Sequence, residues 1–231
     1  MKTIGLIGGM SWESSLEYYR IINETTKQQL GGFHSAKSIL YSVDFEEVER
    51  LQHQGQWGEL TKIMVRAAQS LEGAGAELVV ICTNTMHKMA EDVQASIQIP
   101  LLHIVDATAM QIQLQNFHTV GLLGTKFTME QEFYKGRLSE KFGLTVLIPA
   151  DDEREIVHRV IYDELCLGQI KEPSRAEFIR IINNLVKRGA QGIVLGCTEI
   201  PLLVKQKDVS VPIFDTTTIH ARQAVEEALK V

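Results

Sequence analysis

Leu78-Val79-Val80-Ile81-Cys82-Thr83-Asn84-Thr85-Met86-His87 is the stretch that decides the fold. An apolar run passes straight into a polar cluster, which predicts a buried strand ending at a site. The same construction returns as Gly192-Ile193-Val194-Leu195-Gly196-Cys197-Thr198-Glu199. Both copies share a lead-in, Gly75-Ala76 for the first and Gly189-Ala190 for the second. Thr83 lies eight positions beyond Gly75, and Cys197 eight beyond Gly189. Superposing the copies therefore sets Thr83, not Cys82, against Cys197.

Working outward, further strands are predicted over residues 3–7, 38–43 and 99–104. A helix over 14–30 should bury Leu16, Tyr19, Ile21 and Ile22, with Ser11 or Ser14 as its cap and Gly31-Gly32 as its end. Residues 44–56 read as a polar, acidic segment. A second helix over 58–73 carries Leu60, Ile63, Met64, Ala67 and Leu71 on one face. Further helices are predicted over 86–96, 106–115 and 217–229.

The plan then repeats. Thr119-Val120-Gly121-Leu122-Leu123-Gly124-Thr125 echoes Thr3-Ile4-Gly5-Leu6-Ile7-Gly8-Gly9 at an offset of 116, Cys197 follows Thr83 at 114, and Pro212 follows Pro100 at 112. Three near-equal offsets in order imply two halves with one β-α-β plan. Alternating strands and helices predict parallel sheets covered on both faces. The expected architecture is α/β: two pseudo-symmetric, doubly wound domains, residues 1–105 with 214–231 and residues 106–213. Ligands in such sheets bind beyond the carboxyl ends of the strands. The matched polar clusters are thus expected to line one interdomain cleft.

Composition narrows the function classes. The chain has 231 residues, 45% hydrophobic and 23% charged, the balance of an ordinary globular protein. A net charge of -6 argues against nucleic acid and anionic membranes as partners. The apolar run at the N-terminus is too short for a signal peptide, and no span approaches ~20 apolar residues. Three cysteines without framework spacing predict a reduced, cytoplasmic setting. No Cys/His spacing suits zinc. Gly5-x-x-Gly8-Gly9 is not a dinucleotide-binding fingerprint, no phosphate loop is present, and no cofactor is expected.

The site candidates follow from the two clusters. A thiolate can take a proton from a weak carbon acid such as an amino-acid Cα–H, and a helix N-terminus lowers a thiol's pKa. Cys197, at a strand end before a short helical turn, is the candidate base, with a low pKa expected. Thr83 is its counterpart. Cys82 points to the opposite face of its strand and reads as packing, as does Cys166. Asn84 and Thr85 can hold a carboxylate at the start of a helix, or simply cap it. Thr198 and Glu199 mirror them, and Glu199 can receive an ammonium group. The backbone of Met10, after the Gly-Gly turn, is placed to line the site. His87, one helical turn past Thr83, either orients a site group or packs.

These residues together resemble the aspartate/glutamate racemase superfamily, which works without pyridoxal phosphate. The resemblance covers the chain: Gly5-Leu6-Ile7-Gly8-Gly9-Met10, Cys82-Thr83-Asn84-Thr85-Met86-His87 and Gly196-Cys197-Thr198-Glu199. It implies two α/β domains, a cleft between them and a homodimer. The family's usual first motif, Cys-Asn-Thr-Ala-His, is altered, because Thr83 stands where the cysteine is expected; the second motif is intact. The pattern is closest to the L-aspartate/glutamate-specific branch. The resemblance implies deprotonation and reprotonation at Cα by Cys197 and Thr83 on opposite faces. It also implies a side-chain carboxylate partner after the second strand. Arg50 and Gln52 are the candidates, and Gln52 is preferred because Arg50 can pair with Glu46 or Glu47 on a helix face. Two other readings use the same residues: a single-thiol carbanion enzyme of the arylmalonate-decarboxylase type, and a non-catalytic amino-acid-binding protein.

Overall fold

The buried run Leu78–Ile81 is a strand, and it lies inside a four-stranded parallel sheet. The structure, a computed structural model, describes residues 1–230. It divides into two compact units, residues 1–104 with 220–230 and residues 105–219. Val231, the last residue of the range expected for the first domain, lies outside the described residues.

The first unit runs β1 (Ile4–Gly8), α1 (Trp12–Leu30), β2 (Ser38–Ser42), α2 (Phe45–His53), α3 (Trp57–Gly73) and β3 (Leu78–Ile81). A 3-10 turn (Thr85–Met89), α4 (Ala90–Ala95) and β4 (Leu101–Leu102) follow. The sheet order is β2-β1-β3-β4. β3 alternates as a strand must. Val79 and Ile81 join a cluster with Leu60, Met64 and Ala67 of α3, while Leu78, Val80 and Cys82 join Tyr18, Ile21 and Ile22 of α1. Both faces are therefore covered, as a parallel sheet requires. Each fully buried aliphatic side chain contributes ~1.5–3 kcal/mol to that packing.

From the chain after β4, α5 (Ile104–Leu114) leads into the second unit. There β5 (Thr119–Gly124), α6 (Lys126–Glu130), α7 (Glu132–Phe142), β6 (Thr145–Leu147) and α8 (Asp151–Asp163) follow. Next come a 3-10 turn (Leu165–Leu167), α9 (Glu172–Lys187), β7 (Gly192–Gly196), α10 (Ile200–Leu203), a 3-10 turn (Gln206–Asp208) and β8 (Ile213–Asp215). The sheet order is β6-β5-β7-β8, and α9 buries Phe178, Ile181, Ile182 and Leu185 at helical spacing. The last helix, α11 (Thr216–Leu229), starts in this unit and ends in the first. The return falls within α11 rather than at 214, because β8 pairs with β7.

The internal repeat is kept to the residue. Ile4 pairs with Leu78 and Val120 with Gly192; Val79 pairs with Leu101 and Ile193 with Ile213. These partners are related by the offsets 116, 114 and 112 read from the sequence. The two prolines share a role as well. The Pro100 carbonyl accepts from Val79 N at 2.8 Å and the Pro212 carbonyl from Ile193 N at 2.9 Å. Each sits where only its acceptor is needed. Gln94 clamps the entry to β4, accepting from Leu101 N and donating to the Ile99 carbonyl. Gln206 does the same for Ile213 and Val211.

Three expectations are corrected. Leu16 and Tyr19 are more than half exposed, and α1 instead buries Ser14, Ser15, Tyr18, Ile21 and Ile22. Its outer face carries Trp12, Leu16 and Tyr19 as an exposed apolar stripe. The acidic segment 44–56 contains the helix α2, capped by Asp44 and anchored by Val48, Leu51 and Gln52. Finally, the helix expected over 86–96 begins as a 3-10 turn and becomes α-helical only at Ala90. No helix among the described residues is long and apolar enough to cross a membrane.

Candidate active site

In the first unit the site begins with the turn after β1. Gly9 has φ +90°, and a Cβ there would lie 2.2 Å from the Val43 carbonyl, so only glycine fits. The first turn of α1 then ties this loop to the end of β3. Ser11 caps the helix by accepting from Ser14 N, Gly9 N donates to Ser15 Oγ at 2.8 Å, and Ser14 Oγ donates to the Cys82 carbonyl at 2.8 Å. Ser11 is thus the cap, one of the two candidates the sequence offered, whereas the bonds of Ser14 and Ser15 to the backbone near Thr83 and at Gly9 escaped sequence reasoning. Their signal was the clustering of these serines between the Gly-Gly turn and the helix.

Thr83 itself is partly buried and lies two residues past the end of β3, after Cys82. Asn84 and Thr85 are buried at the start of the 3-10 turn, and Asn84 makes no side-chain cap to it. The Thr83 carbonyl accepts from His87 Nδ1 at 2.8 Å, and His87 is buried. Met10 is buried, its side chain in the core with Val48, Leu51 and Met86. Gln52 is buried on α2 whereas Arg50 is exposed. Cys82 is fully buried among apolar side chains, and this burial pushes its thiol far above the usual range.

In the second unit Cys197, Thr198 and Glu199 follow β7, and all three are buried. Gly124 pairs with Gly196, and a Cβ on Gly124 would lie 2.9 Å from the Gly196 carbonyl. Cys197 Sγ donates to Glu199 Oε2 at 2.9 Å, and Thr198 Oγ1 donates to the same oxygen at 2.8 Å. The low thiol pKa expected for Cys197 is overturned: the thiol is pushed well up. Burial is the largest cause, and the Glu199 charge comes next. α10, which starts after Glu199, is only four residues long, so its dipole offers little to offset either. The resting pair is a protonated thiol held against a carboxylate. That carboxylate is placed to take the thiol proton and to leave a thiolate behind. Cys166, half-buried on the neighbouring 3-10 turn, also raises the Cys197 thiol, a proximity the spacing of the two residues did not reveal. Thr125, one residue past Gly124 at the end of β5, caps α6, accepting from Thr128 N. Its place was foreshadowed by the Gly124-Thr125 echo of Gly8-Gly9.

The same register that relates the two sheets relates the two strand ends. Thr83 occupies in the first unit the position that Cys197 occupies in the second.

Comparison with known proteins agrees with this architecture. The profile of a family described as Asp/Glu/Hydantoin racemase matches residues 7–224. The crystal structure of a candidate Asp/Glu racemase from Yersinia pestis is similar at 58% identity over all of both chains, with a TM-score of 0.94. An aspartate racemase homologue from Pyrococcus horikoshii is similar at 40% identity, again over both whole chains, with a TM-score of 0.87. The broad specificity amino-acid racemase RacX of Bacillus subtilis is 25% identical over 98% of each chain.

Proposed function

The chain belongs to the Asp/Glu/Hydantoin racemase family and is an isomerase of the racemase type; on that premise we propose that it racemises L-aspartate or L-glutamate without a cofactor. In this reading Cys197 and Thr83 act on opposite faces of Cα. The observation that carries it is the pairing of equivalent positions: a thiol held by a carboxylate at the end of β7, and a hydroxyl at the matching end of β3.

The steps balance as follows. Glu199 takes the Cys197 proton, and the thiolate removes the α-proton of the L-enantiomer. Thr83 gives its hydroxyl proton to the other face and regains one from solvent, and Glu199 releases the proton it took to solvent, which restores the resting pair. Asn84 and Thr85 hold the substrate carboxylate from one side, Met10 lines the site through its backbone, and Thr198 supports Glu199. In this reading Glu199 receives the α-ammonium group, whose positive charge favours the thiolate. Gln52 is the partner for the substrate's side chain.

A wider substrate range is a second reading. Its support is that α2 offers a buried neutral amide at Gln52, while Arg50 is exposed. A neutral amide discriminates less strongly for a carboxylate than a guanidinium does.

Proton NMR in D2O with a panel of L-amino acids, combined with chiral chromatography, tests both. Loss of the α-proton signal with D-product from L-aspartate or L-glutamate supports the first reading, and comparable rates with neutral amino acids the second. Exchange with no inversion, or no exchange at all, sinks the racemase reading. Thr83→Cys supplies a second thiol and should raise the rate on the D-enantiomer by ~10- to 100-fold. An unchanged D-rate would remove Thr83 from the mechanism.

The proposed partner is a second copy of the chain. The exposed stripe of Trp12, Leu16 and Tyr19 is the kind of apolar surface that association covers. Sedimentation at assay concentration should give twice 25.9 kDa, and a monomer would refute the homodimer.

A further inference from the structure

His87 enters none of the steps above, yet both of its ring nitrogens are committed. Nδ1 lies 2.8 Å from the Thr83 carbonyl, and Ile104 N donates to Nε2 at 3.2 Å. A peptide N–H only donates and a carbonyl only accepts, so Nε2 bears the lone pair and Nδ1 the proton. The ring is also packed in place, with His103 at 4.7 Å and His220 at 5.6 Å between centroids. His220 is fixed in turn. It donates from Nε2 to the Leu102 carbonyl at 2.9 Å and accepts from Tyr18 Oη at Nδ1, 2.8 Å away. Burial, then the neighbouring His87, lowers its pKa to about 3, so His220 stays neutral. His87 thus bridges Thr83 and the first residue of α5 through an uncharged ring that has one tautomer available.

We propose that His87 is a positioning residue for Thr83. Its Nδ1–H holds the Thr83 carbonyl, and through it the direction of the Thr83 hydroxyl. Proton return at that face depends on His87, whereas proton removal by Cys197, held by Glu199 in the other unit, does not. The inference rests on the racemase reading given above. A histidine that merely fills space would, when replaced, lower both steps together through lost stability.

Two substitutions separate these roles. In His87→Gln the amide reaches to where Nε2 lies, which keeps the Ile104 end and drops the bond to Thr83. In His87→Asn the amide nitrogen falls where Nδ1 lies and keeps a donor for the Thr83 carbonyl. Each variant is incubated with L-glutamate and with L-aspartate in D2O. The α-proton exchange rate and the rate of D-product formation are measured on the same samples. A catalytic group displaced by ~1 Å can lose ~100-fold. H87Q is therefore expected to keep exchange within about threefold of the parent while D-product formation falls ~10- to 100-fold. H87N should restore the ratio of the two rates. His87→Met, which fills the space without a donor, gives the same readout if H87Q does not fold. An unchanged ratio in H87Q or H87M, or an equal loss in H87N, overturns the proposal. Failure of the parent protein to exchange or invert any amino acid is a separate result. It would sink the racemase reading, and this inference with it.

Discussion

Cys197→Ser should lower α-proton exchange of L-aspartate and L-glutamate by ~1,000-fold or more, with the fold intact. The serine hydroxyl can still donate to Glu199 Oε2, the acceptor that Cys197 Sγ meets at 2.9 Å, so the local hydrogen bonds survive. What is lost is the base. An alkoxide lies far above a thiolate in energy, and a carboxylate cannot draw the proton from an alcohol as it can from a thiol. D2O exchange by NMR provides the measurement, and thermal melting monitored by circular dichroism confirms that the variant is folded. Residual exchange within tenfold of the parent would remove Cys197 from the mechanism.

Glu199→Gln should move two properties in opposite directions. The Cys197 thiol is held high by burial and then by the charge of Glu199. Glutamine removes the second cause and leaves the first. A negative neighbour opposes the appearance of another negative charge, so its removal favours the thiolate and the pKa falls. Alkylation of Cys197, which needs the thiolate, should therefore accelerate, and its pH profile should shift toward lower pH. Exchange of the substrate α-proton should nonetheless fall ~100-fold, because glutamine cannot accept the thiol proton. Mass spectrometry resolved by peptide separates Cys197 from the nearby Cys166. Slower alkylation, or exchange that persists at the parental rate, would show that Glu199 is not the group that receives the proton.

The parts of the molecule that could be read from sequence were those set by short-range periodicity and by repetition. The buried strands announced themselves as apolar runs, and Pro100 and Pro212 marked equivalent entries that turned out to share one register. The phase of α1 was misread because a helical pattern does not say which face meets the sheet. That face holds Ser14 and Ser15, small polar residues that are buried because their hydroxyls satisfy the Cys82 carbonyl and Gly9 N. α2 was hidden by its acidic composition, since Val48 and Leu51 are a thin apolar signal. At the site, Thr83 and Cys197 followed from counting residues. The ionisation of Cys197 did not, because it depends on where the Glu199 side chain turns, and only the fold determines that. The His87–His220 contact joins positions far apart in sequence and had no local signature.

The path of α11 has a consequence for biosynthesis. The second unit is one unbroken stretch, 105–219, and its sheet has every strand once β8 has been made. The first unit begins the chain but lacks the side chains of Ala221, Ala224, Val225 and Ala228, which close one face of its sheet. During synthesis, then, the half that emerges first is the half that finishes last. On β1 and β3, Ile4, Leu6, Leu78 and Val80 have only the side chains of α1 against them until α11 has left the ribosome.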